Sequence, residues 1–332
     1  MKSQNNLLAR LKKGIFVGIV LWVGAVFVIF AFTFSEETLR SLRSFRVEYL
    51  LLTIFLYVVS LVVDSYKFKM IIKGMTGKDL PLVYVLEVFL VGFFFSASTP
   101  FQGGGFAFQM YLLSKKGVSP GESSAAITLK GMTNFLFLVL LAPFLVYSLG
   151  IAWAYRPLKF VIPAVVVITI LIFILARWPI FVVKWRKYRL INWFLHELEL
   201  FNESFGTLLN LRRWRMLSLI AFLTVISVSL HLLMVPAIFY GIGVKVPVLK
   251  AITLHILTQI LFIYSPTPGA SGVMELGGAF VFSSICPKHL IGIFTAIWRF
   301  FTYYLSAFIG GILTVKNFSF LVTEYEKTHD NI

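Results

Sequence analysis

Apolar residues in this chain gather into long uncharged runs, and the charged residues fall mostly into short segments between them. Gly14 to Phe34 runs 21 residues without a charge; as a helix it would extend about 31 Å, enough to cross the hydrocarbon core of a bilayer. The same pattern predicts full spans at Val47 to Tyr66, Ser123 to Leu149, Leu158 to Ala176, Met216 to Ile242 and Leu290 to Val315, six crossings in all. The first run exceeds the roughly 7 to 15 apolar residues of a signal peptide and no small-residue cleavage pattern follows it, so it reads as a retained span.

Two further apolar stretches, Pro81 to Leu113 and Ala251 to Ile285, are broken by Gly/Pro clusters that a lipid-facing helix does not tolerate. The first turns at Thr99-Pro100-Phe101-Gln102-Gly103-Gly104-Gly105 and returns through only about eight residues before Lys115 and Lys116, a rise of about 12 Å. Both read as re-entrant hairpins, residues 81–113 and 251–285, buried among the full spans. With the amino terminus inside, 20 basic residues fall on one side of this layout, eight on the other, and Lys130 and Arg299 within spans. That asymmetry predicts a multi-pass protein of the cytoplasmic membrane with both termini cytoplasmic. Residues 177–215 read as a cytoplasmic interfacial loop anchored by Trp185, Trp193 and Trp214, and Leu39, Leu42 and Phe45 mark a smaller amphipathic segment on the other side.

The two hairpin tips share Thr-Pro-x-x-small-Gly, at Thr99 to Gly104 and Thr267 to Gly272, an offset of 168 residues. Pro120 and Pro287 open the following helices, Lys130 and Arg299 lie within them, and Asp64 and His231 occupy the preceding spans, at offsets of 167, 169 and 167. Three full spans separate the hairpins, so the second tip enters from the opposite side. The predicted fold is therefore an all-α polytopic membrane protein, six full transmembrane helices plus two re-entrant hairpins arranged as two inverted-topology repeats, residues 1–149 and 150–332. In that plan the substrate site lies near the midplane, where broken segments meet.

Composition agrees. Of 332 residues, 59% are hydrophobic and 13% charged, with a mean hydropathy of +0.89, against roughly 25% charged in soluble domains. The net charge of +16 is spread over loops, with no compact basic domain to track a nucleic acid. Cys286 is the single cysteine, which excludes an internal disulfide, and no residue spacing points to a metal or other cofactor. No enzyme motif is present: the glycines lack the Lys-Ser/Thr of a phosphate loop, His196-Glu197 lacks a second zinc-binding His, and Ser271 is not in Gly-x-Ser-x-Gly.

The candidate chemistry is polar residues at membrane depth. Arg299, roughly 18 Å along its helix from Pro287, must face protein or water. Its planar fork suits a phosphate or carboxylate, and the rival reading is an ion pair with Glu275. Lys130 is either a second headgroup cation or a side chain snorkelling to the cytoplasmic surface. Glu275 is the only carboxylate beside either tip, Ala107 holding the matching place, and it is a candidate for ion coupling or gating together with His231 and His255. Gln102, Gln109, Thr267 and Ser271 offer neutral hydrogen bonds, and the backbone around Gly103, Gly104, Gly269 and Gly272 offers N–H groups to an anion. Asp64 and Glu87 read as structural, nearer the cytoplasmic boundary.

Pro266-Thr267-Pro268-Gly269-Ala270-Ser271-Gly272-Val273-Met274-Glu275 resembles the second-half signature of the lysylphosphatidylglycerol synthase transmembrane-region, or flippase-like, family. Thr99 to Gly104, Gln109 to Leu113 and Gly117-Val118-Ser119 support the likeness, which covers nearly the whole chain. Many relatives carry Gly-Glu and then Arg in the first hairpin, where Gly105, Phe106 and Gln109 stand here. The resemblance implies movement of a phospholipid or lipid-linked substrate between leaflets, without the separate cytoplasmic domain that makes the lipid in bifunctional relatives. Two other classes stay open on the residues alone: a proton-coupled carrier of a small soluble anion, and a membrane-embedded scaffold or accessory subunit.

Overall fold

The computed structural model describes residues 46–150, 189–208, 214–262 and 265–315 and a few single positions. The expected spans at Gly14 to Phe34 and Leu158 to Ala176, and the outer segment around Leu42, lie outside them. The described residues form helices α1 (Val47–Thr76), α2 (Leu82–Ala97), α3 (Gly103–Ser114), α4 (Pro120–Ser148), α5 (Arg189–Leu208), α6 (Trp214–Gly241), α7 (Val248–Phe262), α8 (Val273–Phe282) and α9 (Lys288–Val315). They contain no strand.

Four of these, α1, α4, α6 and α9, are long and apolar enough to cross a membrane. Local chemistry sets their ends. Ser119 and Glu122 form a reciprocal capping box and Pro120 occupies the first turn, so α4 starts there. Gly77, at φ 73°, terminates α1 in the left-handed conformation. Helix α1 runs ten residues beyond the expected Tyr66 because its polar last turns are packed rather than solvated: Lys67, Phe68, Ile71 and Ile72 are buried.

Between the long helices lie two broken segments, α2–turn–α3 and α7–turn–α8, whose short 3₁₀ turns are Pro100–Gln102 and Pro268–Ala270. The first folds back on itself: the Tyr84 hydroxyl near the start of α2 donates to the Leu112 carbonyl near the end of α3 at 2.5 Å, and Phe95 stacks on Phe108. Its return arm has 12 residues rather than the expected eight or so, because the helix begins at Gly103, inside the glycine run. The order long helix, broken segment, long helix thus occurs twice, α1 to α4 and α6 to α9.

Helices α1 and α6 pack along each other. One apolar core fills the space among α6 to α9 and the end of α4, with Phe239, Phe282, Phe294 and Trp298 in mutual ring contact. A second fills α1 to α4 and takes Phe201 and Phe205 from α5. The Glu197 carboxylate of α5 accepts the Gly121 N–H at the start of α4 at 2.7 Å, so this helix of the 177–215 loop is tied to the bundle, not merely laid beside it. The outside is apolar: Val47, Leu51, Phe55, Val58 and Val62 line an exposed stripe of α1, and Phe308, Ile312 and Val315 one of α9. Water would penalise such a surface and lipid does not. Within the long helices, Asp64, Lys67, Lys130 and Arg299 are turned inward.

Candidate functional site

The tips of the two broken segments touch. Each holds two consecutive residues with left-handed backbone, Phe101 (φ 52°) and Gln102 (φ 58°) in one, Gly269 (φ 61°) and Ala270 (φ 56°) in the other. Phe101, Gln102 and Ala270 are the only non-glycine residues with positive φ among the described residues, and each costs about 1–2 kcal/mol. Strain of this kind persists where surrounding structure over-determines it, and it concentrates at functional sites. Gly269 has no freedom to be larger: a Cβ there would sit 2.9 Å from the Tyr303 ring and 3.1 Å from the Ala97 Cα.

Arg299 lies beside the second tip. It is 3% exposed, and its Nε donates to Glu275 Oε1 at 2.7 Å and its Nη2 to the Gly269 carbonyl at 3.1 Å. Glu275 is fully buried, accepts the Tyr304 hydroxyl at 2.7 Å on the same oxygen, and uses Oε2 to cap the Gly272 N–H at 2.6 Å. Tyr304 also meets Ser271 Oγ at 2.9 Å. The ion pair with Glu275 is therefore formed, while three of the five guanidinium N–H groups keep no acceptor among the described residues. Immediately after Arg299, residues Phe300–Tyr304 form a π-helical turn. An α-helix would bring only Tyr303, four residues on, under Arg299; the wider turn brings Tyr304 as well, and the guanidinium lies 4.8 and 5.1 Å from the two ring centroids.

A second charge cluster faces the first from α1 and α4. Asp64 is 2.6 Å from the Lys67 ammonium and 3.4 Å from that of Lys130. Asn134 accepts a hydrogen bond from Lys67 through Oδ1 and donates through Nδ2 to Asp64 at 3.4 Å. Lys130 sits 3.0 Å above the centroid of Phe89. This overturns two expectations. Lys130 does not snorkel outward, because Asp64 and an aromatic face hold it inside; and Lys67, just beyond the expected end of its span at Tyr66, is wholly buried. Asp64 is one turn from Lys67 on the same face, so burying one buries both. Glu87 is half-buried on α2.

Between the clusters lies a cavity of about 270 Å³. Its wall takes Tyr57, Ser60 and Asp64 from α1, Phe89 and Phe93 from α2, Asn134 from α4, Ser227 and His231 from α6, Gln259 from α7, and Arg299, Thr302, Tyr303 and Ser306 from α9. Gln102, Gly269 and Ala270 close it at the tips and Met274 beside them. Tyr57 and Ser306 hydrogen-bond across it at 2.9 Å, joining α1 to α9. The Tyr303 hydroxyl is buried without a partner.

Of the residues singled out by sequence, Arg299, Gln102, Gly269 and His231 line this cavity, and Lys130 and Glu275 hold lining residues from behind. His255 stacks beside His231, ring centroids 5.4 Å apart, and its Nε2 faces the Trp298 N–H at 3.4 Å. An indole nitrogen only donates, so His255 Nε2 is the acceptor in that contact. Ser271 and Gly272 serve the Glu275 network. The other four are elsewhere: Gln109 packs against Gly92 and Gly103 faces open space, Gly104 donates its N–H to Thr99, and Thr267 pairs with Ser265. Sequence reading passed over Lys67, Asn134, Tyr303 and Tyr304. Spacing held a signal for three of them, since Asp64/Lys67, Lys130/Asn134 and Arg299/Tyr303 lie three or four residues apart on one helical face. Tyr304 carried none. Among the described residues no group of His, Cys, Asp and Glu could hold a metal ion.

Three relatives match this chain at low identity over nearly full length. A UPF0104 membrane protein of Archaeoglobus fulgidus is 24% identical over 94% of this chain and 98% of its own. One of Pyrococcus horikoshii is 22% identical over 92% and 98%, and one of Methanocaldococcus jannaschii 24% over 89% and 93%. No solved structure matches. The profile of the Lysylphosphatidylglycerol synthase TM region matches residues 15–310, and with that match over most of its length this multi-pass integral membrane protein belongs to that family.

Proposed function

We propose that the protein translocates a lipid with an anionic, phosphate-bearing headgroup between the leaflets of the cytoplasmic membrane, and is a transporter rather than an enzyme. One observation carries this reading. Among the described residues, the buried charged side chains in and behind the cavity wall are Lys67, Lys130 and Arg299 against Asp64 and Glu275, a surplus of one positive charge in a place where an unmatched charge is costly. A bound phosphate is the group that would cancel it. The volume of about 270 Å³ is at the lower end for ligand cavities, roughly 300 Å³ upward. It suits a headgroup, with the acyl chains left in the bilayer.

The architecture behind this proposal is the full inverted-repeat plan: six spans, two re-entrant hairpins and cytoplasmic termini. Its support is the recurrence of element order, strained tip and inward-facing cation at an offset near 168 residues. Rocking of one repeat against the other would then expose the cavity to each side in turn. A small soluble anion would meet the same surplus charge and the same volume, and it is the second reading.

The test is leaflet exchange of labelled phosphatidylglycerol and phosphatidylcholine in liposomes containing purified protein. Because Arg299→Gln alone would strand Glu275, the variant is Arg299→Gln with Glu275→Gln. The expected result is exchange of the anionic lipid by the wild type and its loss in a folded double variant. Exchange unchanged in that variant would remove Arg299 from the site.

A further inference from the structure

We infer that the cavity takes headgroups composed of a phosphodiester and uncharged hydroxyls, and turns away headgroups carrying an ammonium, aminoacylated phospholipids included. This rests on the lipid-translocase reading and narrows its substrate. The argument is an accounting of acceptors. An ammonium buried away from water is matched by a carboxylate, with aromatic faces as weaker partners. Here both carboxylates at the cavity and two of the four lining aromatic rings, Phe89 and Tyr303, are already committed, leaving only the rings of Tyr57 and Phe93. Asp64 spends Oδ1 on Lys67 and Asn134, and Oδ2 faces Lys130. Glu275 spends Oε1 on Arg299 and Tyr304, and Oε2 on the Gly272 N–H. The Phe89 face carries Lys130 and the Tyr303 face carries Arg299. An incoming ammonium would add a fourth cation beside three, with no anion released to meet it.

An anion finds the opposite. Arg299 lines the cavity with three N–H groups uncommitted among the described residues, and the buried Tyr303 hydroxyl beside it has no hydrogen-bond partner among them either. Around them the wall is neutral and polar, with the amides of Gln102, Asn134 and Gln259. Asn134 is engaged by Lys67 and Asp64, and the Gln259 Nε2 by His255. Amides both donate and accept, so the Gln259 carbonyl and the second N–H of each of these two can still meet the hydroxyls of a glycerol or sugar and add no charge. Gln102 is held in the cavity by two left-handed residues in succession, a backbone that costs stability and fixes where the amide points.

The experiment measures exchange of acyl-labelled phosphatidylglycerol, phosphatidic acid, phosphatidylethanolamine and lysyl-phosphatidylglycerol in the same proteoliposomes, with uptake of radiolabelled glycerol phosphate in parallel. The wild type is expected to move phosphatidylglycerol at least ten-fold faster than either ammonium-bearing lipid. Gln102→Glu cancels the surplus charge and should bring that ratio close to one. Tyr303→Phe should slow phosphatidylglycerol more than phosphatidic acid, which has no glycerol hydroxyls to bind. Equal movement of lysyl-phosphatidylglycerol by the wild type overturns the selectivity and leaves the translocase reading standing. Movement of no lipid overturns the translocase reading itself, and glycerol phosphate uptake without lipid movement assigns the site to a soluble anion instead. Since the wild-type ratio needs no variant, misfolding of either substitution leaves the inference open to refutation.

Discussion

Lys130 and Arg299 occupy matching places in the two halves, yet the halves neutralise them differently. In the second, Glu275 comes from the broken segment itself, caps its own helix and makes a tight one-to-one pair with Arg299. In the first, Ala107 stands where Glu275 would be, Thr99 does the capping, and the carboxylate comes from α1, where Asp64 serves two lysines. One half is balanced and the other carries the surplus charge. The balanced cluster holds the second tip and presents Arg299 to the cavity, and the unbalanced one adds the surplus charge behind the opposite wall. A buried carboxylate shared by two cations leaves one of them available to something else.

The largest expected effect is therefore on Asp64. Asp64→Asn leaves two lysines facing each other in a buried site and should destabilise by about 5 kcal/mol or more, read by thermal unfolding in detergent. A shift under a third of that size would mean that the lysines find another acceptor. Next comes Glu275→Gln, which strands Arg299 and should cost about 3–5 kcal/mol, with Arg299→Gln in the same chain restoring part of it. If the double variant is no better than the single, the pair is not the unit described here.

Smaller is the difference between the two lysines. A mutant cycle should couple Lys67 to Asp64 more strongly than Lys130, in line with contacts of 2.6 and 3.4 Å. Lys130→Met leaves Asp64 paired and should cost about 1 kcal/mol or less, while anionic-lipid exchange falls about ten-fold as the surplus charge disappears. Equal coupling for both lysines would dissolve the distinction between a structural and an available cation. The smallest effect is at the tip, where Ala270→Gly removes left-handed strain against added chain entropy, a net gain of about 0.5 kcal/mol. A loss there would show that the Ala270 methyl contributes packing worth more than the strain.

Much of this molecule was readable along the chain because a bilayer imposes a one-dimensional rule. Apolar runs of sufficient length, each with at most two charges, marked all four described long helices, and Gly/Pro clusters at 99–105 and 266–272 marked both breaks. Arg299, Lys130 and Glu275 stood out because a charge at membrane depth is rare. The partners of those charges were less legible. Ending the first described span at Tyr66 left Lys67 outside it, since an apolar run does not register that α1 continues nearly three turns further into the packed bundle. Tyr304 became a ligand of Glu275 only through a π-helical turn, and hydrophobic periodicity does not register a one-residue change of pitch.

What the sequence by itself determined was membrane residence, the places of the four described long helices and of the two breaks, and the identity of most of the buried charges. Those follow from the cost of placing polar groups in hydrocarbon, which every local window of sequence feels. Tertiary structure alone decided that Lys130 and Lys67 share Asp64, that Arg299 is paired yet retains free donors, and that a cavity with one surplus positive charge lies between the clusters. Those depend on which helix faces meet, and close contacts such as Gly269 against Ala97 join residues 172 positions apart.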